Sequence, residues 1–248
     1  MSTPDLLVCL YQDEHLYAIH KPAGINFHCT DDEQGIVRRV KDHFAQEQLY
    51  PVHRLDKMTS GIMIFARSSE ANTALSKMFA AKSIEKYYLA ISASKPVKKQ
   101  GSIIGDMEKA RRGSYMLTRE KKNPAITRFF TKSFLNQAGQ RFWFFVLKPE
   151  TGKTHQLRVA LKSIASPALG DERYGPVGSE GESIDRGYLH AYKMRFDLFG
   201  KRYELQSEHF NGQYIEFSTL NDAAEIAPML QPEKLTWPKG AFLLSTSA

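Results

Sequence analysis

Pro51-Val52-His53-Arg54-Leu55-Asp56-Lys57-Met58-Thr59-Ser60-Gly61 runs straight into Ile62-Met63-Ile64-Phe65-Ala66. The first part carries a base, an acid, two hydroxyls and a glycine, which is loop chemistry; the second is a short uninterrupted apolar run, as expected of a strand buried on both faces. A loop clamped to such a strand holds a reactive group rigidly at the edge of a core. The acid at its centre is Asp56.

Outward from this stretch, the 248-residue chain is long enough to bury a substantial core as one domain, and 42% hydrophobic residues agree with a packed globule. Its 34 Lys and Arg exceed its 27 Asp and Glu, leaving a net charge of +7. Excess positive charge favours a polyanionic partner. Cys9 and Cys29 form no Cys-x-x-Cys pattern, so neither a disulfide framework nor a cysteine zinc site is indicated, and both read as reduced core thiols. The start lacks a basic segment followed by an apolar run, and no stretch approaches 18 apolar residues, so a soluble, cytoplasmic protein is expected.

Upstream, Leu6 to Tyr11 and Leu16 to Ile19 flank a polar tetrapeptide and predict a hairpin, ended by Lys21-Pro22-Ala23-Gly24. Ile36, Val37, Val40 and Phe44 have the spacing of an amphipathic helix. Downstream, Ser68 or Ser69 can cap a helix through Ala71, Ala74, Leu75, Met78 and Phe79, and Ile84 to Ile91 reads as a strand. Residues 92 to 124 are the most basic part, with Lys109, Arg111, Arg112, Arg119, Lys121 and Lys122, and glycines make much of it loop or irregular strand. Ile126 to Phe134 and Arg141 to Leu147 flank a glycine-containing turn and predict a central hairpin. Thr154 can cap a helix whose Leu157, Leu161 and Ile164 face the core, leaving Arg158 on another face. Pro176 to Gly187 reads as a mobile loop, Phe210 to Thr219 as the last strand, and Trp237 as an anchor for the tail.

Three segments together carry a resemblance. His53-Arg54-Leu55-Asp56 followed by Thr59-Ser60-Gly61, then Lys86-x-Tyr88-x-Ala90, then Thr154-His155-Gln156-Leu157-Arg158 with Gly170-Asp171-x-x-Tyr174-Gly175, resemble the RluA-type pseudouridine synthases in type and order. The resemblance implies a mixed α/β (α+β) fold, with a largely antiparallel central sheet and flanking helices. It also implies a catalytic domain over 1–220, a tail over 221–248, and a short form without an S4-like domain. Lys153, Ala160 and Ala165-Ser166-Pro167 depart from the family's usual arginine, histidine and Gly-His-Pro, which bears on subfamily and target.

The implied reaction breaks the bond from ribose C1′ to N1 of a uridine, turns the base and joins C1′ to C5. Nothing is oxidised, so no cofactor or metal is required. By the resemblance Asp56 acts either as nucleophile or as base, Arg158 is the cation that keeps it ionised, and Tyr88 stacks on the flipped base, although a one-residue slip would hand that role to Tyr87. Arg54, His53, Thr59, Lys86 and Leu157 complete the substrate-facing set, with His53 favoured as a structural hydrogen-bonding group rather than an acid or base. The expected partner is RNA, rRNA or tRNA, acted on by a monomer with no obligatory protein partner. Two other readings compete. One is a non-catalytic basic RNA-binding module, which leaves the Asp56 loop unexplained; the other is a metal-dependent phosphoesterase built on His28, Asp31 and Asp32, which lacks a recognisable ligand pattern.

Overall fold

A computed structural model describes residues 7–175, 184–239 and 241–242. The chain first forms β1 (Val8–Gln12), β2 (Leu16–Lys21), α1 (Ile36–His43), β3 (Tyr50–Pro51), β4 (Ser60–Ala66) and α2 (Ser69–Ala80). There follow β5 (Glu85–Ser92), β6 (Gln100–Gly105), β7 (Met107–Lys109), β8 (Tyr115–Leu117), β9 (Ala125–Leu135), β10 (Arg141–Pro149) and α3 (Gln156–Ser163). The last elements are β11 (Leu189–Leu198), β12 (Lys201–Gln206), α4 (Phe217–Asp222) and β13 (Ala241–Phe242). Two compact units result: Met1–Lys86 with His190–His209, and Tyr87–Leu189 with Phe210–Ala248.

In the first unit β4 is central and buried along its whole length. It pairs antiparallel with β2 and parallel with β11, and β1 and β12 lie outside them. Because side chains alternate across a strand, Leu16 and Ala18 of β2 share a face with Ile62, Ile64 and Ala66 of β4, and Ala71 and Leu75 of α2 complete that cluster. The expected cap of α2 is present, with Ser68 Oγ accepting the Ala71 N–H at 3.1 Å. Phe44, at the end of α1, stacks on Tyr17 of β2 at 3.8 Å between ring centroids.

In the second unit β9 and β10 form the expected hairpin, in register from Arg141↔Leu135 to Pro149↔Thr127. β5 pairs antiparallel with β10, β6 antiparallel with β9, and β13 parallel with β6. The basic stretch between β6 and β9 folds partly as the two-stranded hairpin of β7 and β8. Trp237 is buried; its indole N–H donates to the Pro232 carbonyl at 2.9 Å and its ring packs on Tyr87 and Phe130.

Three local expectations are corrected. Thr154 does not cap α3: the cap position is His155, in a left-handed conformation with φ 57° and no side-chain capping bond. Phe210 to Thr219 is not a strand. Gly212 and Ile215 close a tight turn and α4 begins at Phe217, whose N–H is taken by Asn211 Oδ1 at 2.7 Å. Phe210, Tyr214, Ile215 and Phe217 are all buried, a spacing without the period of two that a half-buried strand needs. Cys9 and Cys29 are exposed, Cys9 on the outermost strand β1 and Cys29 in the irregular segment before α1. Of the loop expected over Pro176 to Gly187, residues 176–183 lie outside the described residues.

Candidate active site

The loop carrying Asp56 leaves β3 and returns as β4, and the two strands are paired through Tyr50↔Ala66 and Pro51↔Phe65. His53 extends that pairing with its side chain, since the Ile64 N–H donates to His53 Nε2 at 3.0 Å. A ring nitrogen that accepts carries no proton, so the proton of His53 sits on Nδ1. Burial, and then the charge of Lys86, push the His53 pKa down from 6.5 to about 3. The His53 ring stacks on Phe79 at 4.8 Å, and the Lys86 ammonium lies 5.7 Å from the centre of the Phe79 ring.

Past His53, Leu55 and Thr59 point inward while Arg54 and Lys57 are exposed and Asp56 is half-buried. The turn closes where the Thr59 N–H donates to the Asp56 carbonyl at 3.0 Å. A second tie comes from the Lys21-Pro22-Ala23-Gly24 segment. The wholly buried Lys21 ammonium donates to the carbonyls of Pro22, Lys57 and Thr59 at 2.9, 3.2 and 2.9 Å, and the Gly24 N–H donates to the Lys57 carbonyl at 2.8 Å. Gly61 then lies against β11: a Cβ there would stand 2.2 Å from the Ala191 carbonyl oxygen, and φ is +109°. Only glycine meets both conditions.

In the second unit, Tyr87 and Tyr88 take opposite faces of β5. Tyr87 is buried against Trp237, whereas Tyr88 is half-buried. Tyr88 is thus the less buried of the two. Ahead of α3, Gln156 ties the turn to the sheet: its Oε1 accepts from Thr151 Oγ1 and the Lys153 N–H at 2.7 and 3.0 Å, and its Nε2 donates to the Ile126 carbonyl and Thr127 Oγ1 at 3.0 Å each. Leu157 and Arg158 are buried. The Arg158 guanidinium makes a two-pronged pair with Asp171, Nε to Oδ2 and Nη2 to Oδ1, both at 2.8 Å. Oδ1 also accepts the N–H groups of Arg173 and Tyr174 at 3.0 Å each. Arg158 further lies over the Tyr174 ring at 5.0 Å.

Lys21, Gln156 and Asp171 are therefore supports whose roles sequence reasoning missed. A signal existed for each: a lysine before the strand-ending proline, a glutamine opening a helix, and an acid in Gly170-Asp171. None of these reveals its partner by spacing. Lys109, Arg111, Arg112, Arg119, Lys121 and Lys122 of the β7–β8 region are exposed, a basic surface of the kind a polyanion binds.

Residues 15–163 match the family model described as RNA pseudouridylate synthase. The chain belongs to that family. The synthase is 44% identical over 205 residues to an uncharacterized RNA pseudouridine synthase of Haemophilus influenzae, covering 83% of this chain and 88% of the relative. It is 31% identical to tRNA pseudouridine synthase C of Pasteurella multocida, over 77% of this chain and 85% of that one. Against ribosomal large subunit pseudouridine synthase D of Borreliella burgdorferi the identity is 30%, over 85% and 67%. Among solved structures, human RNA pseudouridylate synthase domain containing 1 shares the fold, with a TM-score of 0.71 at 21% identity over 84% of this chain and 85% of that one. The mixed α/β fold with mostly antiparallel strands is thus that of an RNA pseudouridine synthase. Among the described residues no helix is long and apolar enough to cross a membrane.

Proposed function

We propose that this enzyme converts a uridine of structured RNA, in rRNA or tRNA, to pseudouridine with Asp56 as its catalytic aspartate. The observation that carries the assignment is the loop itself: it presents a half-buried Asp56 on a backbone held by its own turn, by a buried lysine and by two neighbouring strands. Asp56 acts at C1′ or on a ribose proton; either way the C1′–N1 bond breaks, a C1′–C5 bond forms, N1 is left with a proton and the C5 hydrogen leaves to solvent. Tyr88 is the platform for the flipped base, where stacking contributes ~1–3 kcal/mol, and Arg158 supplies the cation that favours the ionised carboxylate. Arg54, exposed beside Asp56, contacts the RNA or fills the space the base vacates, and Thr59, Lys86, His53 and Leu157 shape the walls. The names of the relatives from Pasteurella multocida and Borreliella burgdorferi support tRNA and large-subunit rRNA as target classes. The enzyme works in the cytoplasm as a monomer.

Tritium release from RNA labelled at uridine C5 tests this, because joining C1′ to C5 must expel that atom. Release by the wild type and none by Asp56→Asn is expected. Equal release by both would remove Asp56 from the chemistry. Tyr88→Phe should keep most RNA affinity while Tyr88→Ala loses it; if both lose it equally, the ring is not the platform.

A further inference from the structure

Behind the Asp56 loop the first unit buries a polar chain among apolar strands. Ser60, His190 and Ser207 are fully buried and His20 nearly so. Ser60 Oγ lies 2.8 Å from His190 Nδ1, His190 Nε2 lies 2.8 Å from the Ser207 carbonyl oxygen, and Ser207 Oγ lies 3.0 Å from His20 Nδ1. The chain rests on main-chain pairing, since Ser60 is opposite His190 in the parallel contact of β4 with β11, and the Ser207 N–H donates to the Tyr192 carbonyl at 2.9 Å.

The direction of each bond follows from chemistry. A carbonyl oxygen only accepts, so His190 Nε2 carries the proton. In the neutral ring Nδ1 is then an acceptor, and the Ser60 hydroxyl must donate to it. Ser60 is the first residue of β4 and follows Thr59, whose carbonyl is gripped by Lys21 and whose N–H closes the turn on the Asp56 carbonyl. Two successive residues at the exit of the loop are therefore held by buried side chains from different strands, Lys21 of β2 and His190 of β11.

We propose that His190, acting through Ser60, is a positioning residue for the Asp56 loop: a ring fixed as the Nε2–H tautomer that sets where the loop ends and hence where the Asp56 carboxylate points. A buried hydroxyl–imidazole pair contributes little net stability over an apolar pair of the same shape, but it accepts only one geometry. The inference rests on Asp56 as the catalytic residue.

The test compares Ser60→Ala, His190→Gln and His190→Asn in the tritium-release assay, with melting temperature and RNA KM alongside. The amide of glutamine reaches the place of Nε2 and can keep the Ser207 contact, whereas that of asparagine reaches the place of Nδ1 and can accept from Ser60. Ser60→Ala and His190→Gln should lower kcat about tenfold, the effect of one lost buried hydrogen bond on the reacting geometry, with KM within about twofold. His190→Asn should recover most of kcat while melting no higher than the glutamine variant. Wild-type kcat in Ser60→Ala, or a His190→Asn no more active than His190→Gln, would overturn the proposal even with Asp56→Asn inactive. Activity in Asp56→Asn would instead remove the assignment on which it rests.

Discussion

In the first unit the Asp56 loop is held by main-chain groups that converge on a buried ammonium, whereas in the second the Arg158 guanidinium is held by a carboxylate buried beside it. The loop keeps its shape because backbone carbonyls and one lysine agree with the path of the chain, and its turn closes on the Asp56 carbonyl. Arg158 is oriented by the fork of its own charged atoms, so the pair with Asp171 sets its direction and supplies counter-charge in one interaction. The two supports should therefore fail differently: the loop by losing its geometry, Arg158 by losing the carboxylate of Asp171.

The largest effect is expected at Asp171. Asp171→Ala strands a buried guanidinium without this carboxylate and should cost about 3–5 kcal/mol, read from urea denaturation. Should it cost no more than a core methyl, the Arg158–Asp171 pair would not be the support described, and the contrast would collapse. Lys21→Met comes next. It leaves the Lys57 and Thr59 carbonyls without their buried donor, at about 2–3 kcal/mol, and should lower kcat at least tenfold with RNA KM little changed. Full kcat in a destabilised Lys21→Met would mean the ammonium belongs to the core and not to the loop.

Gly61→Ala sharpens the same point from the backbone side. A methyl 2.2 Å from the Ala191 carbonyl must push β4 and β11 apart, which should cost about 1–3 kcal/mol and reduce activity through the loop. Near-wild-type melting would show that the strands yield without consequence. The last effect concerns pH. His53 is neutral in the fold, with a pKa near 3 against 6.5 when unfolded. The unfolded chain therefore binds the extra proton first as pH falls, and stability is lost between pH 6.5 and 3. In His53→Gln this part of the acid destabilisation should disappear; an unchanged pH profile of the melting temperature would place His53 outside the buried network.

Local signals were strong enough to read much of this molecule. The run from His53 to Ala66 announced both the loop and a strand buried on two faces, because loop chemistry and an uninterrupted apolar segment meet at Gly61. The hairpin of β9 and β10 and the Ser68 cap of α2 are likewise local, depending on a turn or on a serine three residues before the N–H it accepts. The segments that misled were those where a distant partner decides. Thr154 has the right chemistry for a cap, yet Gln156, tied to Thr151 and to the β9 backbone, takes over the turn and leaves His155 left-handed. Phe210 to Thr219 is as apolar as a strand, but Asn211 and Gly212 turn it into a bend, and Gly212 has Tyr188 and Asp185 against it.

The family, the order of the elements and the candidates for the chemistry were legible in the sequence alone, since these are written as residue types at short spacing. Tertiary structure decided which supports hold those candidates. Asp171 beneath Arg158, Lys21 beneath the loop and His190 behind Ser60 are 13, 38 and 130 residues from the groups they hold. A hydrogen bond or ion pair depends on distance in space, and only the folded sheets bring such residues within 3 Å of one another.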